Sequence, residues 1–273
     1  ITIIYCSPIL EEKRIKQGDI IQFQGMSKEI QDFRQKTGDE ALWTNSMFGG
    51  MPAYQISVKY PHNILLHIDK ALQLGFPRPI GVMFLYFLGF YILMLSMKLD
   101  YKLAFLASIA FGLSSYFLII LEAGHNTKAH AISYMAPTIA GMLWCLRGKR
   151  LLGFFLTFLF LGLQIRANHP QISYYLMFVV FSYQVVFCWG VSSVPAEGPR
   201  CCSVFFVVFS FWLTYLIYSI KDKKIKFFAS NTLIFVLGCV LAIMINIASL
   251  WSTYDYSKYT MRGGSDLIQE ESG

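Results

Sequence analysis

Charge is scarce in this sequence: Asp, Glu, Lys and Arg make up 14% of 273 residues, against 55% hydrophobic. A soluble domain of this length needs far more polar surface, so the expected solvent is the lipid bilayer. The chain also lacks a Gly-rich nucleotide loop, a nucleophile elbow and a zinc-protease helix, which removes the enzyme classes that depend on them. Its six cysteines (Cys6, Cys145, Cys188, Cys201, Cys202 and Cys239) include no pair at metal-ligand spacing and read as buried free thiols. Basic residues are scattered, with no basic stripe interleaved with stacking aromatics, so nucleic acid is excluded as a partner and the formal charge of +7 suits anionic lipid instead.

What the chain does have is hydrophobic runs of spanning length, beginning at about Pro79, Leu103, Ala131, Leu151, Ile172, Val204 and Phe227. They predict an all-α integral membrane protein, a polytopic helical bundle of about seven or eight hydrophobic segments. The basic clusters Lys98 with Lys102, and Arg147, Lys149 and Arg150, mark cytoplasmic ends. The opposite junctions then lie outside and carry the unusual polar sequence. Residues 1–10 read as the end of a truncated first transmembrane helix. Residues 11–77 form a long extracytoplasmic loop, residues 78–247 the transmembrane bundle, and residues 248–273 the start of a further outer segment, so that the chain is expected to be a fragment of a longer protein.

Inside the first loop, Phe23, Met26, Ile30 and Phe33 recur at helical spacing, and Ile64, Leu65, Ile68 and Leu72 form a second such stripe. Both helices are expected to lie on the bilayer surface or to pack against a missing part of the chain. Between them, Gly49-Gly50 and Pro52 mark a turn. The segment 183–210 is anomalous, because two ordinary spans from 172 to 220 would place the basic run from Lys221 to Lys226 outside, against the positive-inside rule. The string Phe-Val-Val-Phe-Ser occurs at 178–182 and again at 206–210, and deleting 183–210 fuses the halves into one helix. An insertion or duplication is the favoured reading, and two spans that violate the charge rule are the alternative.

Three outer junctions and one loop acid carry the candidate chemistry. Asp19, just after the first span, suits base work on an acceptor hydroxyl and equally suits a solvated loop acid. Glu122, His125, Lys128 and His130 crowd one short junction. The two histidines are five apart, which fits neither a helical i, i+4 pair nor a zinc signature, so phosphate contact is favoured over a divalent metal, with a hydrated polar loop as the rival. Arg166 and His169 precede Pro170, which is expected to open a helix whose N-terminus attracts anions; a snorkelling Arg166 and a capping Asn168 would explain the same residues. Arg262 lies with Asp255 and Lys258 among Tyr and Trp residues that suit saccharide stacking or interface anchoring.

The strings Trp43-Thr-Asn-Ser-Met-Phe-Gly-Gly-Met-Pro-Ala-Tyr-Gln55, Leu121-Glu-Ala-Gly-His-Asn-Thr-Lys-Ala-His130, Asn168-His-Pro-Gln171 and Tyr259-Thr-Met-Arg-Gly263 resemble those of the bacterial YfhO family of multispanning membrane proteins. The resemblance runs along the chain, is interrupted at 183–210, and matches the N-terminal third or so of a typical member. It implies a GT-C type fold with an outward-facing site in the bacterial cytoplasmic membrane. The implied activity is transfer of a sugar from a polyprenyl-phosphate carrier to a cell-envelope glycopolymer or lipid acceptor. By the same resemblance Asp19 is the catalytic acid of the first loop. His125, Lys128, His130 and Arg166 would stabilise the departing lipid phosphate, with Glu122, His169 and Arg262 binding lipid phosphate or sugar. No cofactor is assigned, a divalent metal being left open. The rival class is a transporter or a non-enzymatic lipid-handling or structural membrane protein; a transporter would put charges mid-span and show inverted repeats.

Overall fold

The computed structural model describes residues 2–6, 17–57, 60, 63–77, 79–177 and 225–259. The chain is mostly helical with very little strand. One turn, α1 (Thr2–Tyr5), is followed by α2 (Gly18–Met26) and α3 (Lys28–Thr37). The stripe of Phe23, Met26, Ile30 and Phe33 is therefore split over two helices. The break falls at Ser27, whose Oγ and backbone N–H both donate to Phe23 O, at 2.7 Å and 2.9 Å.

The Trp43–Gln55 string folds as the expected turn, flanked by two-residue strands β1 (Trp43–Thr44) and β2 (Met51–Pro52), paired antiparallel with Trp43 opposite Pro52. Gly50 has φ +127, and a Cβ there would sit 2.8 Å from the Trp43 ring. Glu29 ties this hairpin to α3, its carboxylate accepting from Thr44 Oγ1 at 2.5 Å and Asn45 N at 3.0 Å. The next helix, α4 (Ile64–Leu72), is capped by Asn63, whose side chain accepts from Leu65 N at 3.0 Å. Helix α4 takes neither position expected for it and packs on the bundle itself: Leu65 is buried against Leu85, Tyr134, Phe160 and Leu163.

The bundle comprises α5 (Ile80–Ser96), α6 (Tyr101–Gly112), α7 (Ser115–Ala123), α8 (Asn126–Leu146), α9 (Arg150–Arg166), α10 (170–177), α11 (Ile225–Met244) and α12 (Ile247–Ser257). Helix α8 is the axis, packed by α5 and α9, with α11 against α9 and also touching α8. The approaches are close because the crossing points are small. A Cβ on Gly141 would lie 2.7 Å from Thr157 N, and one on Gly89 would lie 2.8 Å from Ser133 O. That second carbonyl is four residues before Pro137, which has no N–H to return to it. Gly141→Ala is expected to lower stability by about 1–3 kcal/mol, measured by thermal unfolding in detergent. Gly25→Ala, at a helical position with nothing within 4 Å, is expected to leave it unchanged or raise it by about 0.5–1 kcal/mol.

Small and polar residues share the interior with a large apolar core, and many large apolar side chains are also exposed. Buried positions include Ser133, Thr138, Thr157, Gln164, Asn231 and Asn246, while Leu103, Phe105, Leu106, Leu151, Leu233 and Leu237 are exposed. Among the described residues no single helix is long and apolar enough to cross a membrane. Two bent pairs pass together by length and composition: α6 with α7, bent by 44°, and residues 229–257 of α11 and α12, bent by 70°. The run from Leu103 to Leu121 is thus not one straight helix. Gly112 ends α6, Leu113 and Ser114 form the break, and Ser114 precedes α7. The repeat at 183–210, the run at Val204 and the basic run at Lys221 lie outside the described residues.

Candidate functional site

A chain reversal between α7 and α8 builds the floor of the site. Gly124 ends α7 at φ +95, and the N–H groups of Gly124 and His125 both reach Ile120 O, a left-handed cap that favours glycine. The missing side chain also makes room. A Cβ on Gly124 would meet Gln17 Cβ at 3.0 Å and Asp19 Cβ at 3.3 Å. Gln17 closes this contact by donating from Nε2 to Leu121 O at 2.5 Å across 104 residues of sequence. The first turn of α2 is thereby seated on the start of α8, and Asp19 pairs with His125, its Oδ2 against the imidazole Nδ1.

These residues line a cleft of about 460 Å³ together with Ile20, Phe23, Asn126, Thr127, Lys128 and His169. Pro170 opens α10 as the sequence predicts, which leaves His169 at the threshold of that helix. Two helix starts, those of α8 and α10, therefore border one cavity. Lys128 adds a cation, its Nζ 5.3 Å from the centroid of the Tyr116 ring. Burial holds the His169 imidazole below its ordinary pKa; its own backbone pulls the other way, and the nearby Lys128 and His125 charges lower it further. His169 is accordingly neutral at neutral pH.

Of the residues singled out in the sequence, Asp19, His125, Lys128 and His169 come together here. Glu122 is exposed on the last turn of α7 and does not line the cleft, and His130 is buried within α8. Arg166 is engaged elsewhere. Its guanidinium pairs with Asp69 of α4, whose carboxylate also accepts from Tyr134 Oη and from Gln73 Nε2, the latter at 2.8 Å. Arg262 lies outside the described residues. Asn126, Phe23 and Asp69 were missed. Asn126 stands inside the polar junction beside residues that were chosen, and Asp69 sits four residues after Leu65 on the buried side of α4.

The arrangement pairs a carboxylate and an imidazole, for proton handling, with a cation and unpaired first-turn N–H groups, for holding an anion. Among the described residues no group of three or more His, Cys, Asp or Glu side chains is placed to hold a metal ion. Gly124→Ala tests the seat of α2. It is expected to cost about 1–2 kcal/mol through the left-handed backbone alone and to push Gln17 and Asp19 outward. The ligand-binding or catalytic defect is expected to exceed the loss of thermal stability.

A scan against family models finds no match to this chain, and searches of the curated proteins and of the solved structures find none either.

Proposed function

We propose that this protein is a membrane glycosyltransferase of the YfhO and GT-C kind, which moves a sugar from a polyprenyl-phosphate carrier to a cell-envelope acceptor on the outer face of the membrane. The observation that carries the proposal is the convergence of Asp19, from the first loop, with His125, Lys128 and His169, from two different helix junctions, on one cleft. The exposed apolar surface supports a bilayer setting. Apolar side chains such as Leu103, Leu106 and Leu233 face outward, and each gains up to about 1.5–3 kcal/mol on leaving water. Small residues at the helix crossings are what membrane bundles use in place of a hydrophobic driving force.

In this reaction Asp19, held by His125, takes the proton of the acceptor hydroxyl. The hydroxyl oxygen bonds to the anomeric carbon, and the bond from that carbon to the phosphate oxygen breaks. The polyprenyl phosphate departs with the electron pair. Lys128 and the N-terminus of α8 balance the charge that develops on it. Membranes from cells expressing the protein are expected to transfer labelled sugar from a polyprenyl-phosphate donor to endogenous envelope acceptors above the level of membranes without it. Equal transfer in the two would overturn the enzymatic reading in favour of a transporter or lipid-handling protein.

A further inference from the structure

Two polar groups in the cleft have no task in the transfer step as written. Asn126 is 8% exposed, and its Oδ1 is buried with no hydrogen-bond partner. Its own N–H is committed to Gly124 O at 2.7 Å. His169 Nδ1 is also buried without a well-formed hydrogen bond. Native interiors rarely leave such groups unsatisfied, and where they do a missing ligand is a standing explanation.

The kind of ligand follows from the sign of each group. The first-turn N–H groups of Thr127 and Lys128, beyond reach of any carbonyl within α8, and the Lys128 ammonium are donors and suit phosphate oxygens. An amide carbonyl is the opposite, since it repels phosphate oxygens and requires a donor. A neutral imidazole nitrogen accepts from, or donates to, a hydroxyl. Asn126 lines the cleft, and its amide carries one acceptor and one donor in a plane. That pattern pairs with neighbouring hydroxyls. Ile20 and Phe23 on the α2 side supply an apolar wall for the C–H face of a ring.

We infer that Asn126 and His169 read the sugar hydroxyls of a glycosyl phosphate whose phosphate lies at the N-terminus of α8, and so set which sugar the cleft accepts. This rests on the transfer reading above and assigns to it the part of the site that discriminates between sugars.

The full chain, purified in detergent, is titrated calorimetrically with inorganic phosphate and with the 1-phosphates of glucose, galactose and mannose. At least one sugar phosphate is expected to bind more tightly than inorganic phosphate. Asn126→Ala and His169→Gln are each expected to weaken that sugar phosphate by about five- to tenfold while leaving inorganic phosphate unchanged, which also reports an intact fold. If the three sugar phosphates bind no better than phosphate, or if both variants weaken all four ligands alike, hydroxyl reading is overturned and the transfer reading stands. If phosphate binds in no form, both fall.

Discussion

Asp19→Asn is expected to reduce sugar transfer by about 10²–10⁴-fold, the range that general base catalysis contributes, with protein abundance and thermal stability nearly unchanged. The substitution keeps the volume of the side chain and removes its basicity. Asp19 is about half exposed, at 45% of its side chain, and its partner His125 is similar at 49%. The pair is therefore not structural cement, because ion pairs this open to solvent contribute little to folding. The first turn of α2 stays seated through Gln17 and the Gly124 contact, which the substitution leaves in place. A purely structural acid at this position would show the reverse pattern, with reduced abundance and a normal rate per folded molecule. Transfer undiminished in the Asn variant would remove Asp19 from the mechanism. Gln17→Ala provides the complement. It loses the bridge to Leu121 while Asp19 keeps its chemistry, so its defect is expected to be smaller and to fall on substrate affinity as well as rate.

Asp19, His125, Lys128 and His169 stood out in the sequence because polar side chains cluster at the junctions between apolar runs, whereas Asn126 and Phe23 of the same cleft did not. Pro170 announces the start of α10, whereas the left-handed cap at Gly124 that ends α7 is a feature of the backbone alone. That the cleft residues meet was legible only as a shared side of the bundle, and the contact depends on Gly124 admitting α2. The helical stripe from Phe23 to Phe33 misled, because side-chain spacing continues through the break at Ser27. The run from Leu103 to Leu121 misled for a related reason. Hydropathy does not register a Gly-Leu-Ser corner when both flanks remain apolar. Arg166 was read as a ligand for phosphate because it precedes the helix that Pro170 opens, whose N-terminus attracts anions. Its partner Asp69 is 97 residues away, on the amphipathic helix α4.

Breaking that partnership is expected to produce a larger loss of stability than any substitution in the cleft. Asp69 is 6% exposed and accepts from Arg166, Tyr134 and Gln73, joining α4, α8 and α9 at one point. Asp69→Ala leaves the Arg166 guanidinium in a site where its side chain is 24% exposed and strands the Tyr134 hydroxyl in the core. Removing one member of a buried pair costs about 3–5 kcal/mol, and the partial exposure of Arg166 places the expected loss near the lower end, about 3 kcal/mol. Replacing the charge pair as a whole is different: Asp69→Leu with Arg166→Met removes both ions and fills the space with apolar atoms. That double variant is expected to recover at least half of the loss seen in Asp69→Ala, measured by thermal unfolding of the purified protein in detergent. The recovery separates a structural clamp from a ligand site. If Arg166 served the phosphate, the double variant would be as inactive as it is stable. If Arg166 only anchors the end of α9, three residues before His169, the double variant should hold His169 in place and retain sugar-phosphate binding within about threefold of the unmodified protein, less than the effect of one lost hydrogen bond.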